Sequence, residues 1–126
     1  MELLAAFPDA EGIGLDLFAS LGPTVLVTPA TLVPPLIVVR RVGGYDTYIT
    51  DRCRLQVQCF GSAHVQARDL AEACRQKVLA APGAALVAGF IIDRVVTDSA
   101  PVYVDYEQPA IHRYVATYRL EYRRAS

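Results

Sequence analysis

Residues 52–60 read RCRLQVQCF and alternate almost without a break between apolar and polar side chains. Successive side chains of a strand point to opposite faces, so Cys53, Leu55, Val57 and Cys59 share one face and Arg52, Arg54, Gln56 and Gln58 the other. Such a strand needs a cover on its apolar side, while its polar side meets water or a wet interface. The chain must therefore hold a sheet with one packed face, and elements able to pack on it.

The run 111–123 repeats the constraint. Tyr114, Ala116, Tyr118, Leu120 and Tyr122 face one way, and Val115, Thr117, Arg119, Glu121 and Arg123 the other. A cover is supplied by 63–79, where Ala67, Leu70, Ala71, Cys74 and Val78 recur at helical spacing and Arg68, Asp69, Glu72, Arg75 and Lys77 mostly face away. Ser62 is the expected cap, an Arg68–Glu72 pair adds roughly 0.2–0.5 kcal/mol, and Ala81-Pro82-Gly83 ends the helix. A second, weaker helix is expected over 9–20, with Asp9 as cap and Ile13, Leu17 and Leu21 on one face; Gly12 and Gly14 count against it, and Gly22-Pro23 stops it.

Further strands are expected over 24–27, 36–42 and 86–97, the last bent at Gly89. Residues 28–35 carry three prolines and read as a rigid connection or a ragged sheet edge. Gly43-Gly44 reads as a turn or flexible loop, and 98–110 as a loop. Four long antiparallel strands with helices on one face consume this pattern. No repeat or linker divides the chain, so 1–126 is expected to be a single domain.

With 126 residues, 53% hydrophobic and 20% charged, the chain has the composition of a folded domain. A formal charge of -1 supplies no global field towards DNA or membrane. The opening MELLAAFPDAEG lacks the basic and apolar regions of a secretory leader, and no apolar stretch reaches the roughly 20 residues of a membrane span. Cys53, Cys59 and Cys74 are an odd count without a tight pair, as expected of reduced thiols in a cytosolic compartment.

Chemistry is hard to place. His64 and His112 belong to no compact ligand pattern and read as surface or cap residues; a catalytic reading needs one of them to meet a carboxylate. All three cysteines fall on apolar faces and read as small core residues, not zinc ligands. Asp93, inside an apolar strand, reads as an exposed edge residue or an arginine's partner. No phosphate-cradling glycine loop or nucleophile elbow is present. Neither an enzyme nor a cofactor is therefore expected. Arg40, Arg41, Arg52 and Arg54, with Arg119, Arg123 and Arg124, are the residues a nucleic-acid module would use, but arginine and tyrosine are also enriched at protein interfaces. Arg40 and Arg41 are neighbours in a strand, so they point to opposite faces. One is expected to face water or a channel, the other to pair with a carboxylate of its own or a neighbouring chain.

Taken in order, PPLIVVRRVGG (34–44), DRCRLQVQCFG (51–61), AHVQARDLAEACRQKVL (63–79) and the closing segment 93–122 resemble the tail terminator (tail completion) proteins of long non-contractile-tailed bacteriophages, actinobacteriophages especially. The resemblance covers about 110 residues and rests on the succession of segments, not on one diagnostic motif. It implies a small α+β protein with a twisted, mainly antiparallel sheet packed against helices. It also implies a homohexameric ring at the head-proximal end of the tail tube, which stops polymerisation and joins the tail to the head connector. The implied partners are the major tail tube protein, a connector or stopper protein, and genomic DNA passing non-specifically through the lumen. The protein would act in the host cytoplasm during assembly and remain at the virion neck, with no membrane contact. On this reading Arg40, Arg41, Gly43, Gly44, Tyr45, Asp46 and Tyr48 are candidate subunit or tube contacts. Arg52, Arg54, Gln56, Gln58, Arg119, Glu121 and Arg123 are candidates for the lumen or a polar sheet face, and Tyr103, Asp105, Tyr106 and Glu107 for a loop contact. The alternatives are another neck component such as a stopper, a small nucleic-acid-binding module, and a small hydrolase or isomerase.

Overall fold

The computed structural model describes residues 7, 9–47, 49–83 and 91–123. Helix α1 (Ala10–Phe18) is followed by β1 (Thr24–Val25), β2 (Leu36–Asp46), β3 (Thr50–Gly61), α2 (His64–Leu79), β4 (Ile92–Tyr103) and β5 (His112–Arg123). The strands form one sheet in the order β1-β2-β3-β5-β4. Every neighbouring pair of long strands is antiparallel, and only the two-residue β1 runs parallel to its partner β2. This is the expected α+β architecture with one short strand added at the edge.

Alternation in β3 and β5 places the core. Cys53, Leu55, Val57 and Cys59 are buried with Ala116, Tyr118, Leu120 and Tyr122 under both helices. Helix α2 contributes Ala67, Ala71, Cys74 and Val78, and α1 contributes Ala10, Ile13 and Phe18. All three cysteines are buried free thiols, and Cys59 Sγ lies 3.7 Å from Cys74 Sγ. A second, smaller core of Leu32, Leu36, Val38, Phe60 and Ile111 sits on the opposite face, covering only one end of it. The proline-bearing segment 28–35 is thus a packed connection, anchored by Leu32, and the strand expected over 24–27 shortens to Thr24–Val25.

The first helix exists despite its glycines. Asp9 caps it by accepting from the Glu11 backbone N–H at 3.1 Å. Gly14 is buried, and a Cβ there would strike Val39 Cγ1, so the residue is small because α1 lies directly on β2. At α2 the expected cap is displaced: Ala63 holds the N-cap position without a side-chain bond, while Gln66 Oε1 accepts from Ser62 N at 2.6 Å and Ser62 Oγ at 2.9 Å. Arg68 lies beside Asp69, not Glu72, which instead takes Arg75 at 3.7 Å and Gln76 at 2.9 Å.

Two strands outrun their expected ends. β2 continues through Gly43 and Gly44 to Asp46, so the glycines are neither turn nor loop. The register slips by one residue at Val42, and the glycines at φ +140° and +114° carry the strand past this bulge. A Cβ on Gly44 would collide with the Arg52 carbonyl oxygen. The chain reverses between Thr47 and Thr50, where Thr47 N donates to Thr50 O at 2.8 Å and Thr50 N to Thr47 Oγ1 at 3.1 Å. β4 likewise absorbs 98–103, which places Tyr103 in a strand and not in a loop. Being at the sheet edge, β4 tolerates Pro101 and the register shifts between Thr97 and Val102. The expected bend at Gly89, and Tyr48 and Arg124, lie outside the described residues.

Candidate functional site

The two adjacent arginines part as strand geometry requires. Arg40 pairs with Gln56 on the face without helices, where it is exposed; its guanidinium has no ion-pair partner among the described residues. Arg41 pairs with Leu55 and turns beneath α1. Its two terminal nitrogens donate to Asp51 at 2.6 and 2.9 Å, Tyr122 Oη donates to the same carboxylate at 3.0 Å, and the Arg41 backbone N–H donates to Glu11 Oε2 at 3.2 Å. The hydrogen bond to Asp51 raises the Arg41 pKa further, burial opposing it. Burial pushes the Tyr122 phenol well above its ordinary value, and pushes the neighbouring Cys53 thiol up to about 11. Asp51 therefore joins β2, β3 and β5 at the turn end of the β2–β3 hairpin, opposite Asp46. Sequence reasoning counted it among scattered acids. A cleft of about 590 Å³ opens beside it, lined by Asp9, Glu11, Arg41, Gly43, Asp46 and Asp51.

The hairpin stays within the sheet, since β3 is laddered to β5 as far as Thr50, opposite Arg123. β1 covers β2 only at Ile37 and Val38, so the outer edge of β2 from Arg40 to Asp46 has no strand partner among the described residues. Val42, Tyr45 and Ile49 expose apolar surface there. Tyr45 is steadied by Arg52, which donates to its hydroxyl at 3.0 Å and lies 5.4 Å from its ring centre.

The uncovered sheet face gathers most of the expected polar residues. Arg52, Arg54, Gln56 and Gln58 of β3 pair in register with Glu121, Arg119, Thr117 and Val115 of β5. Glu121 takes Arg52 at 2.7 Å and Arg94 at 3.8 Å, while Asp98 takes Arg54 at 3.1 Å and Arg119 at 3.0 Å. Arg123 meets Asp93 at 3.2 Å, so Asp93 is the edge residue with an arginine partner. Arg94 belongs to this face although its own segment gave no sign of it; it is found only through its register with Glu121. Tyr45, Arg52, Arg94, Val96, Arg119 and Glu121 enclose a cleft of about 220 Å³.

At the other end of the face the loop after β4 folds back. Tyr106 meets Phe60 edge-on at 5.2 Å, and Arg113 lies 5.3 Å above its ring while donating to the Asp105 carbonyl at 2.8 Å. Asp105 and Glu107 stay exposed. On the helix side, Tyr103, expected in that loop, takes part instead in a histidine–tyrosine network. Tyr103 Oη lies 3.0 Å from His112 Nδ1, Tyr114 Oη 2.7 Å from His64 Nε2, and the His64 and Tyr103 rings stack at 4.8 Å. The histidines thus tie the start of α2 to β4 and β5. Their hydrogen-bond partners among the described residues are phenols, not the carboxylate a hydrolytic reading requires. No group of three potential metal-ligating side chains occurs among the described residues.

No family model matches the chain, and no curated protein does. The fold has a solved counterpart. A chain in a structure described as the virion of a native gene transfer agent particle superposes with a TM-score of 0.52 at 11% identity, over 85% of this chain and 84% of that one. At that identity the likeness shows a shared fold. Among the described residues no helix is long and apolar enough to cross a membrane.

Proposed function

We propose that this chain is a structural virion protein, without enzymatic activity, that forms a hexameric ring on the head-proximal end of a tail tube. The ring stops tube polymerisation and presents the surface on which the head connector or stopper protein docks. The observation that carries this reading is the fold likeness to a chain of a virion particle, spanning nearly the whole of both chains. The free edge of β2 fits it. Beyond Val38 that edge has no strand partner among the described residues, and Val42, Tyr45 and Ile49 are exposed along it and at the turn, which are features of a segment that docks on a neighbour. Subunit contacts in such a ring are heterologous, so the β2 edge of one copy would meet a different surface on the next. Arg40, Gly43, Gly44, Tyr45 and Asp46 belong to these contacts, the uncovered sheet face turns to the lumen, and Asp105 and Glu107 mark a further contact surface. The protein works in the cytoplasm of the host during assembly and then stays at the neck.

The test is negative-stain microscopy of purified tail tubes incubated with the protein, with its solution mass measured by light scattering. A cap on one tube end that blocks further growth is the expected result. Binding to a connector with no binding to the tube would overturn the terminator role and assign the chain to a stopper or other neck component.

A further inference from the structure

The uncovered sheet face has a charge organisation that net charge conceals. Arg40, Arg52, Arg54, Arg94, Arg119 and Arg123 stand on it against Glu121, Asp98 and Asp93. Over this part of the face six guanidiniums against three carboxylates leave a local excess of three positive charges, on a chain whose formal charge is -1; at the other end Arg113 stands near the exposed Asp105 and Glu107. The most exposed of these side chains are arginines. Arg94 and Arg123 are 70% and 67% exposed and Arg54 47%, against 15% for Glu121, while Arg52 and Arg119 at 35% and 38% lie level with Asp98 and Asp93 at 30% and 32%. Glu121 and Asp98 are each shared by two arginines, so they hold guanidiniums in pairs without neutralising them. The most exposed side chains are thus cationic, and Gln56 adds an uncharged polar group among them.

We infer that this face is a binding surface for the phosphate backbone of duplex DNA, indifferent to base sequence, with Glu121 and Asp98 serving to orient the arginines. Guanidinium groups fixed in position match phosphate oxygens through paired N–H donors. Among the described residues no helix or β-ribbon projects from the face to enter a groove, so backbone contact without base readout is what the geometry allows. The inference deepens the ring reading, on which it rests for DNA passing this face, but the binding itself belongs to the single chain.

The probe is a fluorescein-labelled duplex of about 20 base pairs, titrated with the full chain to several hundred micromolar and followed by anisotropy, since non-specific dissociation constants reach roughly 10⁻⁴ M. An excess of three charges predicts a log–log salt slope of about -3, or about a 60-fold loss of affinity between 50 and 200 mM salt. A duplex of scrambled sequence should bind equally. The Arg54→Gln/Arg119→Gln double variant should lower the slope by about 2. Arg40→Gln should lower it by about 1, and because Arg40 has no ion-pair partner among the described residues its loss leaves the fold alone. Arg75→Gln, on α2 and away from the face, should change nothing. The inference is overturned if no salt-dependent binding occurs at 50 mM, if Arg75→Gln acts like Arg40→Gln, or if polyglutamate competes for the protein and DNA does not bind. A protein that caps tubes but ignores DNA would sink this inference and leave the ring standing; one that binds DNA but ignores tubes would do the reverse.

Discussion

Asp51 is the residue whose replacement should cost the fold most for its size. It is 2% exposed and accepts three hydrogen bonds, two from Arg41 and one from Tyr122. In Asp51→Ala the Tyr122 hydroxyl, on a fully buried residue, loses its acceptor at a cost of about 1–3 kcal/mol. Breaking a buried ion pair costs about 3–5 kcal/mol where the stranded charge stays dry. Here the stranded Arg41 is 35% exposed and can regain water, so that share falls to about 1–2 kcal/mol. The sum is a loss of about 2–5 kcal/mol for Asp51→Ala. Arg41→Met strands the other partner, a carboxylate with almost no access to water, and should cost at least as much.

Urea denaturation at neutral pH, with the slope held constant across variants, measures these values. Asp51→Asn keeps an acceptor for Tyr122 and discharges the site, so it should cost less than Asp51→Ala. Combined with Arg41→Met it should be less damaging than the two changes added, by about 1.5 kcal/mol or more, because neither buried charge is left alone. Additivity to within about 0.5 kcal/mol would refute the claim that Arg41 and Asp51 act as one unit.

Gly44→Ala should destabilise by about 1–3 kcal/mol in the same assay, because it forces a Cβ into the Arg52 carbonyl at positive φ; Gly43→Ala, with φ positive but nothing within 4 Å of a Cβ, should cost less. Stability should fall as pH rises above 9, since the folded Cys53 thiol, pushed from 9.0 to about 11, holds its proton longer than the unfolded one. That contribution is complete below pH 9 and about 2–3 kcal/mol of it is gone by pH 11; Tyr118 and Tyr122, also raised by burial, extend the decline, and Cys53→Ala should retain only their part. Asp98→Asn should cost under about 1 kcal/mol, as partly exposed ion pairs do, while the Arg54 Nε–H proton exchanges faster in NMR spectra. A loss above about 2 kcal/mol would make Asp98 a stabilising residue and not an orienting one.

What the sequence disclosed is what local periodicity encodes. Alternation in 52–60 and 111–123 is a property of one strand at a time, so the inward faces of β3 and β5 were readable, as was α2 from its apolar stripe. Elements that depend on a distant partner were not. Gly43 and Gly44 carry a turn signature, but ten ladder partners between β2 and β3 keep the strand going through a bulge. Pro101 looked like loop, and only the position of β4 at the sheet edge explains why a strand accepts it. Gly14 looked like a defect in α1 until Val39 supplied the reason for a missing side chain. The site shows the same division. That Arg40 and Arg41 point apart followed from strand geometry, whereas the Asp51 junction and the His64–Tyr114 and His112–Tyr103 bonds join segments up to 71 residues apart.

Net charge was the least informative quantity, and the fold explains why. A sheet covered by helices on one side sends alternate residues of every strand to two unlike surroundings, so charge is sorted by parity and not by position along the chain. In β3 the even positions carry Arg52 and Arg54 to the uncovered face, while the odd position Asp51 is buried against Arg41 and Tyr122. The same parity sends Arg119 and Glu121 of β5 outward and Tyr118, Leu120 and Tyr122 inward. A sum over the chain cancels these contributions; the surface does not, because the cancelling carboxylates lie elsewhere or lie deeper. For a protein of this architecture, charge is therefore meaningful only face by face. The arginine-rich part of the uncovered face, at three positive charges in excess, is a different electrostatic object from the chain that bears it.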